Sequence, residues 1–108
     1  MSFEDIKNAL EDLFDGTPET WRDLCADDVH FESIHKSSSG HSVKNKDEMY
    51  AMHLEVGECD ADVRCLVETE TVISVTHAVP ESDDLIYLNV CHIEEDEIKA
   101  CYYAKTNR

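Results

Sequence analysis

The segment Leu24-Cys25-Ala26-Asp27-Asp28-Val29-His30-Phe31-Glu32-Ser33 (residues 24–33) is where the periodicity of this chain changes. Upstream of it, apolar side chains recur every three to four residues, and Phe3, Ile6, Leu10, Leu13 and Phe14 share one helical face. From Val29 the period becomes two. Val29, Phe31 and Ser33 then lie on one face of a strand, and His30, Glu32 and Ile34 on the other.

Working outward, Ser2 opens the first helix with Asp5 three positions on as a capping box, and Gly16 closes it. Thr17 caps a second helix with Pro18 at its first position, where a missing N–H costs nothing. That helix buries Trp21, Leu24 and Cys25. Downstream, residues 36–44 (K-S-S-S-G-H-S-V-K) read as a loop, and Asn45 caps a third helix with Glu48 reaching back. Met49, Met52, His53 and Val56 share its inner face, and Gly57 ends it. Strands are expected over about 61–69, 71–79, 84–94 and 97–104. The turns between the last three are Pro80-Glu81-Ser82-Asp83-Asp84 and Glu95-Asp96. The 108 residues are expected to form a single α+β domain.

With 25 acidic against 9 basic residues the formal charge is -16, which repels phosphate backbones and anionic lipid. Nucleic acid and membrane surfaces are therefore poor partners. Apolar residues make up 42% of the chain and alternate with the acids, so the charge signals solubility rather than disorder. Cys25, Cys59, Cys65, Cys91 and Cys101 leave one thiol unpaired under any full disulfide scheme, and Met1 runs directly into an amphipathic helix. A reduced, cytoplasmic protein is expected. Cys65, Cys91 and Cys101 occupy strand positions suited to small apolar residues. The six histidines and five cysteines lack metal-site spacing, so no metal or other cofactor is expected.

The strand over 84–94 is apolar on both faces. Leu85, Tyr87, Cys91 and Ile93 alternate with Ile86, Leu88 and Val90. Both faces must then be covered, and three short helices can cover only one. A second copy of the chain meeting the face of Ile86, Leu88 and Val90 predicts a homodimer.

Gly16 and the junction Ala26-Asp27-Asp28, set in this order of helices and strands, resemble the SnoaL-like and ketosteroid isomerase-like branch of the nuclear transport factor 2 superfamily. The resemblance spans nearly the whole chain on short motifs. It implies a cystatin-like α+β cone: a curved antiparallel sheet with three helices on its concave side. In that register the isomerase's oxyanion tyrosine falls at Ala9, its general-base aspartate at Ser33 and its protonated aspartate at Asn89. None of the three is kept. Asn still donates a hydrogen bond to an oxyanion, but neither Ala nor Ser replaces what it displaces.

The resemblance implies a small, largely apolar molecule held in a conical pocket. Two readings follow. In one the protein is an isomerase, cyclase or lyase working by proton transfer, with His77 or His53 as base and Asn89 and Tyr87 as polarising donors. In the other it is a non-catalytic binding protein, or a dimerising accessory protein with a filled cone. Trp21, Phe31, Ser33, His35, Met49, Met52, Val75, Tyr87 and Cys91 are the candidate ligand contacts, and one of Tyr102 and Tyr103 faces inward. Period-two geometry, in the register that the resemblance sets through Gly16 and Ala26-Asp27-Asp28, directs His77, Asn89 and Ser33 to the interior, and His30, Glu32 and His92 away from it.

Overall fold

In the computed structural model, which describes residues 1–34 and 42–108, helix α1 (Phe3–Phe14) begins where Asp5 accepts from the Ser2 backbone N–H at 2.9 Å. It ends at Gly16, whose φ of 93° few other residues tolerate. Pro18 is the cap of α2 (Glu19–Leu24), one residue later than the Thr17 expected from sequence. Strand β1 (Cys25–Ser33) also begins earlier than expected, because Cys25 and Ala26 already bury their side chains against the core.

Asn45 caps α3 (Lys46–His53) by accepting from the Glu48 N–H at 2.9 Å, and the Glu48 carboxylate accepts from Asn45 at 2.9 Å. The helix stops at His53, four residues before Gly57, so Val56 lies beyond it. Ahead of α3 a two-residue strand, β2 (Val43–Lys44), pairs with Phe31 and Glu32 inside a stretch read as loop. Strands β3 (Arg64–Glu68), β4 (Val72–Val79), β5 (Ser82–Glu94) and β6 (Glu97–Asn107) complete the fold.

The six strands form one curved sheet in the order β2-β1-β6-β5-β4-β3. Every pair is antiparallel except β1–β6, which is parallel, so the sheet is mixed where an antiparallel one was expected. The cause is connectivity. β1 is separated in sequence from its neighbour by α3 and four strands, which bring β6 back in the same direction. Between β5 and β6, Glu95 and Asp96 both have positive φ (55° and 61°), the backbone of a tight two-residue hairpin turn.

Register fixes the two faces. Ile73 pairs with Cys91 and Cys91 with Cys101; Val75 pairs with Asn89 and Asn89 with Tyr103; His77 pairs with Tyr87. This inner set packs with Ile6, Leu10, Leu13 and Phe14 of α1, Trp21 of α2 and Met49 of α3. The outer set carries Ser74, Ile86, Leu88, Val90 and Tyr102, and none of these belongs to the core cluster formed with the helices.

Candidate active site

Between the helices and the inner sheet face lies a cavity of about 320 Å³. Leu10, Leu13 and Phe14 come from α1, Trp21 from α2, Phe31 from β1, and Met49, Met52 and His53 from α3. The segment after α3 adds Glu55, Val56 and Gly57. The sheet supplies His77, Tyr87, Asn89, Cys101 and Tyr103, and the β4–β5 turn adds Pro80 and Glu81. A volume of this order suits a small organic molecule.

His77 is 7% exposed and stands between two aromatic rings, 5.3 Å from Phe14 and 5.2 Å from Tyr87. Its Nδ1 lies 2.9 Å from the carbonyl oxygen of Ala78. A carbonyl oxygen only accepts, so Nδ1 carries the proton and Nε2 keeps its lone pair. Burial lowers the His77 pKa from 6.5 to about 4, against the smaller opposing effect of the Ala78 bond. Burial likewise lowers His53 to about 4, with the nearby His77 adding to the shift. Both rings are neutral at pH 7.

Asn89, 7% exposed, accepts from the Cys101 Sγ–H through Oδ1 at 3.3 Å, which leaves its amide N–H₂ for other partners. Tyr103 has its phenol pKa raised by burial, so it stays protonated. At the rim Lys105 donates to Glu81 at 2.9 Å and lies 5.5 Å from the Tyr87 ring centroid. No lysine or arginine lines the cavity among the described residues, while two carboxylates, Glu55 and Glu81, do. The wall is therefore largely apolar, with polar groups from His53, His77, Asn89 and Tyr103, the two carboxylates, and no cationic side chain among the described residues.

The buried thiols Cys25 and Cys101 are poor nucleophiles. Cys25 is pushed up to about 12 by burial, reinforced by the neighbouring Cys91 thiol. The Cys91 hydrogen bond and burial push Cys101 up as well, the two sulfurs being 3.6 Å apart. Cys65 is a correction, because it lies exposed on the edge strand β3 rather than packed as a small apolar residue. Among the described residues no group of three His, Cys, Asp or Glu side chains is placed to hold a metal ion. No described helix is long and apolar enough to cross a membrane.

Of the candidates named from sequence, His77, His53, Asn89, Trp21, Phe31, Met49, Met52 and Tyr87 line the cavity. Ser33, Val75 and Cys91 do not. They share the inner face but are buried at 3%, 0% and 0% exposure, away from the open volume. His35 falls outside the described residues. Tyr103 is the inward tyrosine, and Tyr102 meets His30 and His92 on the outer face at 5.9 and 5.6 Å. The α1 residues Leu10, Leu13 and Phe14 went unnamed as site residues although their helical stripe was plain. The stripe marks a buried face without saying that part of it borders empty space.

Neither a family model nor a curated protein matches this sequence. Solved structures do match. A nuclear transport factor 2-like protein of unknown function from Silicibacter pomeroyi superposes with a TM-score of 0.71 at 9% identity, covering 95% of this chain and 91% of its own. IdmH of Streptomyces antibioticus, provisionally assigned as a polyketide cyclase, gives 0.68 at 14% identity, covering 94% and 89%. A provisionally assigned ketosteroid isomerase from Kribbella flavida gives 0.65 at 14%, covering 97% and 77%.

Proposed function

With its nuclear transport factor 2-like fold as premise, we propose that the protein binds a small, uncharged, largely apolar molecule in the cone and moves a proton on it. His77 is the base and Asn89 the donor to the oxygen that gains charge. The observation that carries this reading is the pairing of an Nδ1-anchored, neutral His77 with an amide whose own oxygen is already engaged by Cys101. Nε2 is left as an acceptor and the Asn89 nitrogen as a donor, both on the wall of one apolar cavity. The chemistry follows. Nε2 takes a proton from carbon next to a carbonyl, the C–H electron pair moves into the enolate, and Asn89 holds the enolate oxygen until the imidazolium returns the proton. A base with a pKa of about 4 is weak, so the C–H bond it breaks must be activated. His53, beside His77 on the cavity wall, keeps the same chemistry dry rather than supplying a second charge.

The test uses 2-tetralone, a ketone with an activated benzylic α-C–H, in D₂O. Wild-type protein is expected to accelerate deuterium uptake at that carbon, and His77→Gln to slow it at least about tenfold. The rate should be flat from about pH 5.5 to 8 and fall as pH drops through 4, where Nε2 becomes protonated. Exchange at the buffer rate with wild type, while the ketone still binds, would leave a binding protein and refute the proton-transfer role. A cone filled by its own side chains, the competing reading, is disfavoured by the cavity's volume.

The outer sheet face belongs to the same proposal. Ile86, Leu88 and Val90 run along β5 in the sheet's interior, between Ala78, Thr76 and Ser74 of β4 and Thr106, Ala104 and Tyr102 of β6. The apolar side chains at the centre of this face are left without cover by the helices, and a second copy of the chain, meeting it across a two-fold axis, is its proposed occupant.

A further inference from the structure

Trp21 carries the one buried side-chain N or O atom without a hydrogen-bond partner among the described residues, its indole Nε1. Its side chain is 4% exposed and lines the cavity wall. Buried donors are rarely left unmet, because nothing in the folded state repays the lost contact with water. Behind the ring lies a small void of about 10 Å³ that shares Trp21, Phe31, Met49 and His53 with the main cavity. That space is at the lower limit for one water. Apart from His53, the other polar side chains around it are committed elsewhere, Arg22 to Asp23 and to the face of the Tyr50 ring. The Tyr50 hydroxyl donates to Glu19 at 2.9 Å, Lys46 donates to the Cys25 carbonyl at 2.9 Å, and the Cys25 thiol donates to the Trp21 carbonyl at 3.4 Å. The unbranched side chain of Met49, which borders both spaces, can shift to join them.

We infer that Trp21 is a ligand-positioning residue: its indole N–H takes an uncharged oxygen of the molecule in the cone. The ligand then carries oxygen acceptors at two separated places, one for Trp21 and one for the Asn89 amide. Ionised carboxylates and phosphates are poor candidates for either place: no cationic side chain lines the main cavity, where Glu55 and Glu81 do, and the Arg22 and Lys46 that border the small void are already paired with Asp23 and with Asp27. This rests on the cone being a ligand site, as proposed above, and adds where the second polar end of the ligand lies.

The chain contains a single tryptophan, so the indole N–H gives one resonance in a ¹⁵N–¹H spectrum. The probe is 6-methoxy-1-tetralone, which has a ketone and an ether oxygen at opposite ends, with 2-naphthoate as the anionic comparison. On saturation with the neutral probe the indole proton should move downfield and exchange more slowly with solvent, and 2-naphthoate should bind at least about tenfold more weakly. Replacing Trp21 biosynthetically with its benzothienyl isostere keeps the ring shape, exchanges N–H for sulfur, and should weaken the neutral probe about tenfold. Three results would overturn the inference. If the probe shifts the Asn89 side-chain amide while the indole stays still and the isostere binds normally, the pocket stands and Trp21 has no role in it. An indole proton showing contact with bound water in both free and saturated protein would assign its partner to that water. Absence of any response in both the indole and the Asn89 amide would remove the ligand-site reading itself, and the role of Trp21 with it.

Discussion

His77 and His53 are the cavity's two imidazoles, both held neutral by burial, and stability should report it. Each has a native pKa of about 4 against an ordinary 6.5. As pH falls below 6.5 the unfolded chain takes up protons that the folded chain refuses. The stability tied to the neutral rings is therefore full above about pH 6.5 and is lost as pH drops through 4. For His77 that amounts to roughly 2 kcal/mol at pH 5. Another effect has the opposite sign: carboxylates lose their mutual repulsion as pH approaches the isoelectric point of about 4.4. Comparing urea unfolding of wild type and His77→Phe at pH 7.5 and 5 separates the two, because the repulsion is common to both proteins. Wild type should lose more stability than the variant. Parallel losses would mean that His77 is not buried as described. The candidate residues also show how far alternation reads a site. His77 and Asn89 were legible from period two once the register of Gly16 and Ala26-Asp27-Asp28 fixed which face is inward, as was the outward placing of His92. Ser33, Val75 and Cys91 were placed on the correct face and still do not line the cavity, because alternation gives the face of a residue and not its depth along the strand.

At the scale of elements, most boundaries set by a local chemical signal were legible, Thr17 and Gly57 being the exceptions, and those set by tertiary packing were not. Ser2, Asn45, Gly16 and the Glu95-Asp96 turn announce themselves through caps and backbone geometry. The early start of β1, the short β2 and the parallel β1–β6 pair depend on partners distant in sequence, so no local pattern could show them. Two substitutions test the backbone claims. Gly16→Ala should destabilise by about 1–2 kcal/mol, measured by thermal or urea unfolding. Conformation is the cause rather than crowding, since an added Cβ would meet nothing nearer than a Glu58 oxygen at 3.9 Å. Glu95→Asn should instead stabilise by about 0.5 kcal/mol, because asparagine accepts positive φ more readily than glutamate. A destabilised Glu95→Asn variant would contradict the turn geometry.

For the whole molecule, one sheet with helices on a single face leaves the opposite face to be explained, and its apolar residues lie at the centre rather than the rim. A homodimer through Ile86, Leu88 and Val90 predicts that light scattering finds twice the chain mass at micromolar concentration, and that Leu88→Glu yields a folded monomer. A monomeric wild type would refute it. The overall order of helices and strands was the most legible property of this sequence, because hydrophobic periodicity and turn residues all point the same way. Identity to the matching structures reported above is 9–14%, so what they share with this chain is a fold, and the contents of the cone must be read from its own residues. The central claim is that His77 and Asn89 face one bound carbonyl compound from neighbouring strands. A crystal structure of the protein with 2-tetralone tests it most directly. The account predicts the ketone oxygen within hydrogen-bond distance of the Asn89 amide nitrogen and the benzylic carbon facing Nε2 of His77. A cone that stays empty at saturating ketone, or a ketone seated away from both side chains, would contradict it.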